Sequence, residues 1–411
     1  MDRKLLVLSN GHGEDIIAVR ILEQLQSSYD ALQLAALPIV GEGHAYKQLA
    51  IPLIGCVQQM PSGGFIYMDR RQLWRDLKDG LLQLTIAQYQ ATRNWAKSGG
   101  KILAVGDIVP LFIAWLSGAD YAFVGTAKSE YYLRDERGWL AKTSLLERWY
   151  GSIYFPWERW LMQHPRCKAV FPRDTLTAEI LQKFSIAAFD LGNPMMDGIG
   201  AIQDVKIEAQ NQELTVLLLP GSRLPEAARN WQKILLAVAE INKIFNNNYI
   251  SFLAAIASSL PLQPFAEQLT SQGWVLQNNS LNNDLQKAAF TYNSVTMILT
   301  KKNYSDCLNK AQIAIAMAGT ATEQFVGLGK PAIIIPGEGP QFTEVFAEAQ
   351  TRLLGCSVIL VEQLQQVASI IQSLLQDSER LQAIAENGRR RMGISGAAAR
   401  IANCLQDKLL Y

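Results

Sequence analysis

The chain has 411 residues, 49% of them apolar and 18% charged, with 29 glycines and 15 prolines; that composition excludes a disordered or collagen-like polymer. Single cores seldom grow past about 300 residues, so two globular domains are predicted rather than one. The 38 basic and 37 acidic residues leave a net charge of +1, so no global field exists to hold nucleic acid, and small-molecule clefts come first.

The N-terminal segment is too short in apolar residues for a signal core, and no later window carries the 18 apolar residues a spanning helix needs. A mean hydropathy of +0.04 is high, which leaves contact with a membrane surface open. Five scattered cysteines, Cys56, Cys167, Cys307, Cys356 and Cys404, fit neither a disulfide scaffold nor a zinc site and point to reducing cytosol.

In chain order, Leu5 to Leu8 is a buried-type strand that runs into Ser9-Asn-Gly-His-Gly-Glu-Asp15 and then a helix starting near Ile16. Further short apolar runs follow at Leu34 to Val40, Lys101 to Val105, Tyr121 to Val124, Ala169 to Phe171 and Ala187 to Leu191, each ended by Gly, Pro or Asp. Such strands separated by helical stretches predict a parallel sheet covered on both faces. The polar stretch 198–213 is the expected domain boundary. Beyond it, strands are predicted at Thr215 to Leu219, Tyr249 to Ala255, Gly273 to Leu276, Met297 to Leu299, Ile313 to Met317 and Ala332 to Ile335, with helices at Glu226 to Phe245 and Glu323 to Gly327. Asp377 to Leu410 reads as helix interrupted near Gly393 and Gly396.

Four turns and one loop carry chemistry. Gly11 and Gly13 let backbone amides approach a ligand at a helix start. The turn is neither a G-x-G-x-x-G fingerprint nor a P-loop. It is either a tight turn with Asp15 as a cap, or a site in which the titratable His12 and Glu14 serve an acceptor or phosphate. Asp107, in Val105-Gly-Asp-Ile-Val-Pro110, ends a strand at the edge where open parallel sheets bind ligands; it is either the cap of the next helix or a general base. In the second half, Leu217-Leu-Leu-Pro-Gly-Ser-Arg-Leu-Pro-Glu226 places Gly221, Ser222 and Arg223 where a guanidinium fork and backbone amides can clamp a diphosphate. Ala318-Gly-Thr-Ala-Thr-Glu323 repeats the form: Gly319, Thr320 and Ala321 admit a phosphate, and Glu323 can accept two hydrogen bonds from a ribose diol or simply offset the helix dipole. Gln341, in the loop Pro336-Gly-Glu-Gly-Pro-Gln341, is a further sugar or nucleotide contact.

The order S-N-G-H-G-E-D (9–15), V-G-D (105–107), L-G-N-P-M-M-D (191–197), L-P-G-S-R-L-P-E (219–226), A-G-T-A-T-E (318–323) and P-G-E-G-P-Q (336–341) resembles the bacterial lipid-A-disaccharide synthase-related glycosyltransferases, in particular a divergent, cyanobacterial-type member. The resemblance implies an α/β GT-B fold of two Rossmann-like domains facing a cleft: 1–197 binding acceptor, 198–376 binding nucleotide-sugar, and closing helices 377–411 that cross back to the first domain. It also implies that Arg223 is a donor-site arginine, Glu323 the ribose ligand, Asp107 the base, and Asn193 part of the segment near the domain junction. The chain departs from the family pattern in Gly-His-Gly-Glu-Asp and Gly-Asn-Pro, both at the implied active cleft.

The expected reaction moves a sugar from a UDP-sugar to a lipid hydroxyl, with Asp107 or His12 taking the acceptor proton and Arg223 offsetting charge on the leaving diphosphate. One base and no evident nucleophile imply inversion. No metal and no cofactor are expected, since there is no D-x-D motif and His12, His44 and His164 are far apart in sequence. Alternatives are a UDP-sugar 2-epimerase-like enzyme and a non-catalytic sugar-nucleotide or lipid binder. Aromatic and basic segments containing Arg71, Trp74 and Arg75, and then Trp149 and Trp157, read either as domain packing or as a surface docked on the inner face of a membrane. A homodimer is left open.

Overall fold

The computed structural model describes residues 3–28, 32–57, 81–200, 214–245, 250–277, 286–293, 295–339 and 341–411. Two compact units result: Met1–Asp197 with Ser395–Tyr411, and Gly198–Ile394.

Unit 1 is built from β1 (Arg3–Ser9), α1 (His12–Ser28), β2 (Leu32–Pro38), α2 (His44–Gln48), α3 (Leu81–Lys97), β3 (Lys101–Gly106), α4 (Ile108–Ser117), β4 (Tyr121–Gly125), the two-residue strands β5 (Arg134–Asp135) and β6 (Gly138–Trp139), α5 (Leu145–Tyr150), α6 (Pro156–Gln163), β7 (Cys167–Pro172) and α7 (Thr175–Lys183). The main sheet runs β2-β1-β3-β4-β7, every pair parallel. Successive strand residues go to opposite faces. Leu6, Leu8, Ile102, Ala104, Tyr121 and Phe123 enter one apolar core, and Leu5, Val7, Leu103, Val105, Ala122 and Val124 enter the other. That is why these strands read as unbroken apolar runs. The segment Ala187 to Leu191, expected as a strand, makes only a single bridge, Val170 to Ala188. It lies beyond the sheet's edge strand β7, and the turn-forming Gly192-Asn193-Pro194 draws it away after that one contact.

Unit 2 comprises β8 (Leu214–Leu219), α8 (Glu226–Ile244), β9 (Ile250–Ala255), α9 (Gln263–Ser271), β10 (Val275–Leu276), β11 (Lys287–Tyr292), β12 (Val295–Thr300), α10 (Tyr304–Lys310), β13 (Ile313–Ala316), α11 (Thr320–Gly327), β14 (Ala332–Ile334), α12 (Glu344–Leu354), β15 (Val358–Leu360), α13 (Gln366–Gln376) and α14 (Ser378–Met392). Its sheet has the order β10-β11-β12-β9-β8-β13-β14-β15. β11 pairs antiparallel with β10 and β12; its two partners fall on expected strands, but the sequence reading did not foresee β11 itself, whose residues alternate between exposed and buried instead of running apolar.

The closing helices part company. α14 packs on α11 within unit 2, whereas α15 (Ala397–Leu405) packs on α1, where Ala398, Ile401, Ala402 and Leu405 meet the core of Ile17, Ala18, Ile21 and Leu22. The return to unit 1 therefore starts at Ser395, not at residue 377. Asp197 fixes it: its carboxylate accepts from the backbone N–H groups of Gly396 (2.5 Å), Ala397 (3.1 Å) and Ala398 (2.7 Å), the unpaired donors of a helix start. Arg400 Nε donates to the Leu191 carbonyl at 2.9 Å and Arg20 Nη1 to that of Pro194 at 2.6 Å.

Candidate functional site

In each sheet the chain winds outward in both directions from a central pair of strands, β1 and β3 in unit 1, β8 and β13 in unit 2. Ligands of open α/β sheets bind beyond the carboxyl ends of strands at such a reversal. The sequence-predicted turns follow the strands of these two pairs.

In unit 2 the register joins Leu219 to Ala316, and Met317 N donates to the Leu219 carbonyl at 2.8 Å, so the Pro220–Arg223 and Ala318–Glu323 turns emerge side by side. Gly221 has φ 103°, a conformation costly for any other residue, and a Cβ there would stand 3.3 Å from the Met317 carbonyl oxygen. Gln350 Nε2 donates to the carbonyls of Ala318 (3.3 Å) and Gly319 (3.2 Å), holding the second turn from behind. Thr320 and Ala321 open α11, and Glu323 is buried in its first turn. Ser222 is exposed and Arg223 half-buried.

The loop after β14 completes this edge. With the Gln341 amide oriented to satisfy both its atoms, its oxygen accepts from Arg223 Nη1 at 2.5 Å and Nε at 3.0 Å. Burial lowers the guanidinium pKa, opposed by the nearby Glu226 carboxylate. Glu226, whose functional part sequence reasoning missed, is buried at the start of α8; it accepts from the backbone N–H of Gln341 (3.2 Å) and of Phe342 (2.8 Å). A Cβ on Gly339 would collide with its carboxylate. Lys233, two turns further along the same side of α8, donates to the Pro336 carbonyl at 3.3 Å and pairs with Glu338 at 2.9 Å. Glu226 and Lys233 thus tie the β14 loop to α8 from both ends. In the sequence Glu226 reads only as an acid offsetting a helix dipole.

In unit 1 the β1 turn separates its two acids. Asp15 turns inward: Ser9 Oγ donates to its Oδ1 at 2.5 Å and Tyr46 Oη to Ser9 Oγ at 2.7 Å. Burial pushes the Asp15 carboxyl up to about 6. Glu14 stays partly exposed at the sheet edge, where Thr126 Oγ1, just past β4, donates to its Oε1 at 3.2 Å. Burial raises the Glu14 carboxyl, and the charges of Asp107 and Asp15 raise it further. Asp107 itself caps α4, its Oδ1 accepting from Val109 N at 2.9 Å, so the capping alternative describes its observed contact. Gly11 at φ 106° packs where a Cβ would strike the Val40 carbonyl, while Gly13 faces open space. The His12 side chain lies outside the described residues.

Asn193 is buried, with Oδ1 accepting from Met195 N at 3.0 Å. It lines a small cavity with Gly125, Thr126, Arg173 and Pro194. Arg173, also missed in the sequence, donates from Nη1 to the Thr126 carbonyl at 3.2 Å and so braces the residue that holds Glu14. Of the proposed membrane contacts, Trp149 and Trp157 are strongly exposed, and Arg71, Trp74 and Arg75 lie outside the described residues. Among those residues no helix is long and apolar enough to cross a membrane.

No family model matches the chain, and no curated protein does. Solved structures do match over its whole length. The UDP-GlcNAc 2-epimerase of Neisseria meningitidis bound to UDP-GlcNAc aligns with a TM-score of 0.55 at 16% identity, covering 98% of this chain and 100% of that one. MurG of Acinetobacter baumannii gives 0.55 at 12% identity over 98% and 99%. A glycotransferase of kitacinnamycin gives 0.57 at 12% identity over 99% of each chain.

The fold is GT-B-like.

These neighbours correct the family expectation: the similar structures bear the names of UDP-GlcNAc 2-epimerases, MurG and a glycotransferase, not of the lipid-A-disaccharide synthase-related group or a cyanobacterial-type branch of it. The physical reason is that glycine turns between a parallel strand and the helix after it answer the needs of such a sheet edge, where backbone must approach a ligand closely. They mark the architecture more than the branch.

Proposed function

We propose that the protein is an enzyme acting on a UDP-sugar, with epimerisation at the sugar's second carbon as the leading reaction. The observation that carries this reading is the edge of unit 2, where the glycine turns after β8 and β13 adjoin and Gln341 holds the Arg223 guanidinium. A cation in a fixed fork, beside a turn that opens a helix, suits a diphosphate. Glu323, in the first turn of α11, is the candidate ligand of the ribose diol. Three of the similar structures bear the name UDP-GlcNAc 2-epimerase without qualification and a fourth is a co-structure with UDP, which supports the choice of nucleotide and of reaction class.

Epimerisation requires a carbon-bound proton to leave one face and a proton to return on the other, work for carboxyl groups whose pKa lies near the working pH. Glu14, raised by burial and held by Thr126, is the acid/base candidate that supports this better than Asp107, whose oxygen is engaged at a helix cap. Glycosyl transfer to a hydroxyl, a lipid acceptor included, is the second reading. It is favoured by the exposed aromatic side chains of unit 1, and it would draw on the same diphosphate cradle to offset the leaving group's charge.

The test is incubation with UDP-GlcNAc in heavy water, followed by proton NMR. Deuterium at the second carbon of the sugar supports epimerisation; UDP release that depends on an added acceptor supports transfer. Binding without either reaction identifies a non-catalytic binder, and absence of binding overturns the whole reading.

A further inference from the structure

Helix α5 is unusual in burying none of its six residues. Polar contacts at its two ends, not a buried face, hold it helical: Arg134 Nη2 donates to the Gly151 carbonyl at 2.7 Å. Ser144 and Glu147 form a complete capping box, and Gly151 closes the other end in the left-handed conformation. On this helix Leu145 is 83%, Leu146 61% and Trp149 80% exposed, apolar area that folding leaves in water.

Aromatic side chains continue from there in two linked groups. Trp149 meets Tyr150 (5.4 Å between ring centres), Tyr150 meets Phe155 (5.5 Å), and Phe155 stacks on Trp157 (4.6 Å). Trp157 and Trp160, one turn apart on α6, are both more than half exposed. Trp160 packs edge-on against Trp115 at 5.2 Å, and Trp115 against Phe112 at 5.7 Å. Phe112 and Leu116, exposed a turn apart on α4, extend the face along a helix that contains no charged residue.

Charge on this face is sorted. The two acids of α5 and α6 are engaged within their own elements or buried: Glu147 accepts from Ser144 N and Oγ (2.8 and 2.7 Å), and the buried Glu158 pairs with Lys128 at 2.5 Å. Lys142 and Arg148 are exposed. The face therefore offers apolar projections, indole rings and outward cations, with its carboxylates turned aside.

We propose that this face, formed by α4, α5 and α6, docks on an anionic phospholipid surface. A folded partner or a second copy would need a shaped pocket for each of three projecting tryptophans and two leucines. A bilayer needs none, because acyl chains accommodate apolar knobs while indoles sit at the headgroup level and cations meet lipid phosphates.

The experiment uses the full chain with vesicles of phosphatidylcholine alone and of phosphatidylcholine mixed with phosphatidylglycerol. The intact protein is expected to co-sediment with the mixed vesicles, more weakly with the neutral ones, and to show a blue-shifted tryptophan emission. In the triple variant Leu145→Ser, Leu146→Ser, Trp149→Ser, partitioning is expected to fall on the order of tenfold or more. Its melting temperature should hold, because α5 buries nothing. Equal partitioning of variant and parent overturns the proposal. So does a parent that ignores both vesicle types, including one that instead forms a concentration-dependent dimer in sedimentation velocity which the variant abolishes. Neither readout involves a sugar nucleotide, so failure here leaves the reading of the unit 2 edge untouched.

Discussion

Arg223 illustrates what a residue needs beyond its charge. A surface arginine explores many rotamers; here Gln341 accepts from two of its nitrogens, so less side-chain entropy remains to be lost when an anion arrives. Replacing Arg223 with Ala is predicted to weaken UDP binding by about 2–3 kcal/mol, roughly 30- to 150-fold in Kd, with Gln341→Ala causing a smaller loss in the same calorimetric titration. Glu14 is predicted to give the rate profile a limb above the ordinary carboxylate range, since burial holds its acid form to higher pH. In Glu14→Gln that limb should vanish, whereas an unchanged profile removes Glu14 from the chemistry. Asp15 makes a separate prediction about stability. Its folded pKa of about 6 lies above the ordinary 3.8, so its contribution is most favourable when protonated and is lost as pH rises through about 6. Asp15→Asn keeps the Ser9 hydrogen bond and should stabilise the protein by up to about 3 kcal/mol at pH 8, with little effect near pH 4, read from denaturant midpoints.

At the scale of elements, the site depends on turns that approach one another closely. Gly221 sits at φ 103° with the Met317 carbonyl 3.3 Å from where a Cβ would lie, so Gly221→Ala is expected to cost about 1–3 kcal/mol of stability through backbone strain. It should also weaken UDP binding by shifting the neighbouring turn; a variant with unchanged Kd would show that the turn takes no part. The strands and these turns were legible in the sequence because doubly covered parallel strands leave continuous apolar runs punctuated by glycine. Strand β11 was not, since KAAFTY alternates and carries no turn glycine, although its partner β12 was expected at Met297 to Leu299. Nor were Glu226, Lys233, Thr126 and Arg173, whose parts rest on contacts between segments far apart in the chain: Glu226 meets Phe342, and Arg173 meets Thr126. Local spacing holds no trace of such pairs. Asp107 was read as either cap or base, and its observed contact is the cap.

At the scale of the whole molecule, the chain leaves unit 1 after Asp197 and returns to it at Ser395, and within unit 1 one carboxylate ties the point of return to the point of departure. Asp197 accepts three backbone hydrogen bonds from the start of α15. Asp197→Ala should destabilise unit 1 by about 2–4 kcal/mol, as expected for lost charge-assisted bonds at a helix start. Amide exchange should then quicken selectively in α15; uniform exchange across both units would contradict this anchoring. The family expectation failed at this scale for a related reason: motifs shared by a whole architecture fix where a ligand sits more firmly than which reaction follows. The most direct test of the account is calorimetric titration of UDP and UDP-GlcNAc into the full chain and into Arg223→Ala. Saturable binding by the parent, weakened at least about tenfold in the variant, is the predicted result. Absence of binding by the parent, or identical binding by both, would contradict the assignment of the unit 2 edge as a sugar-nucleotide site.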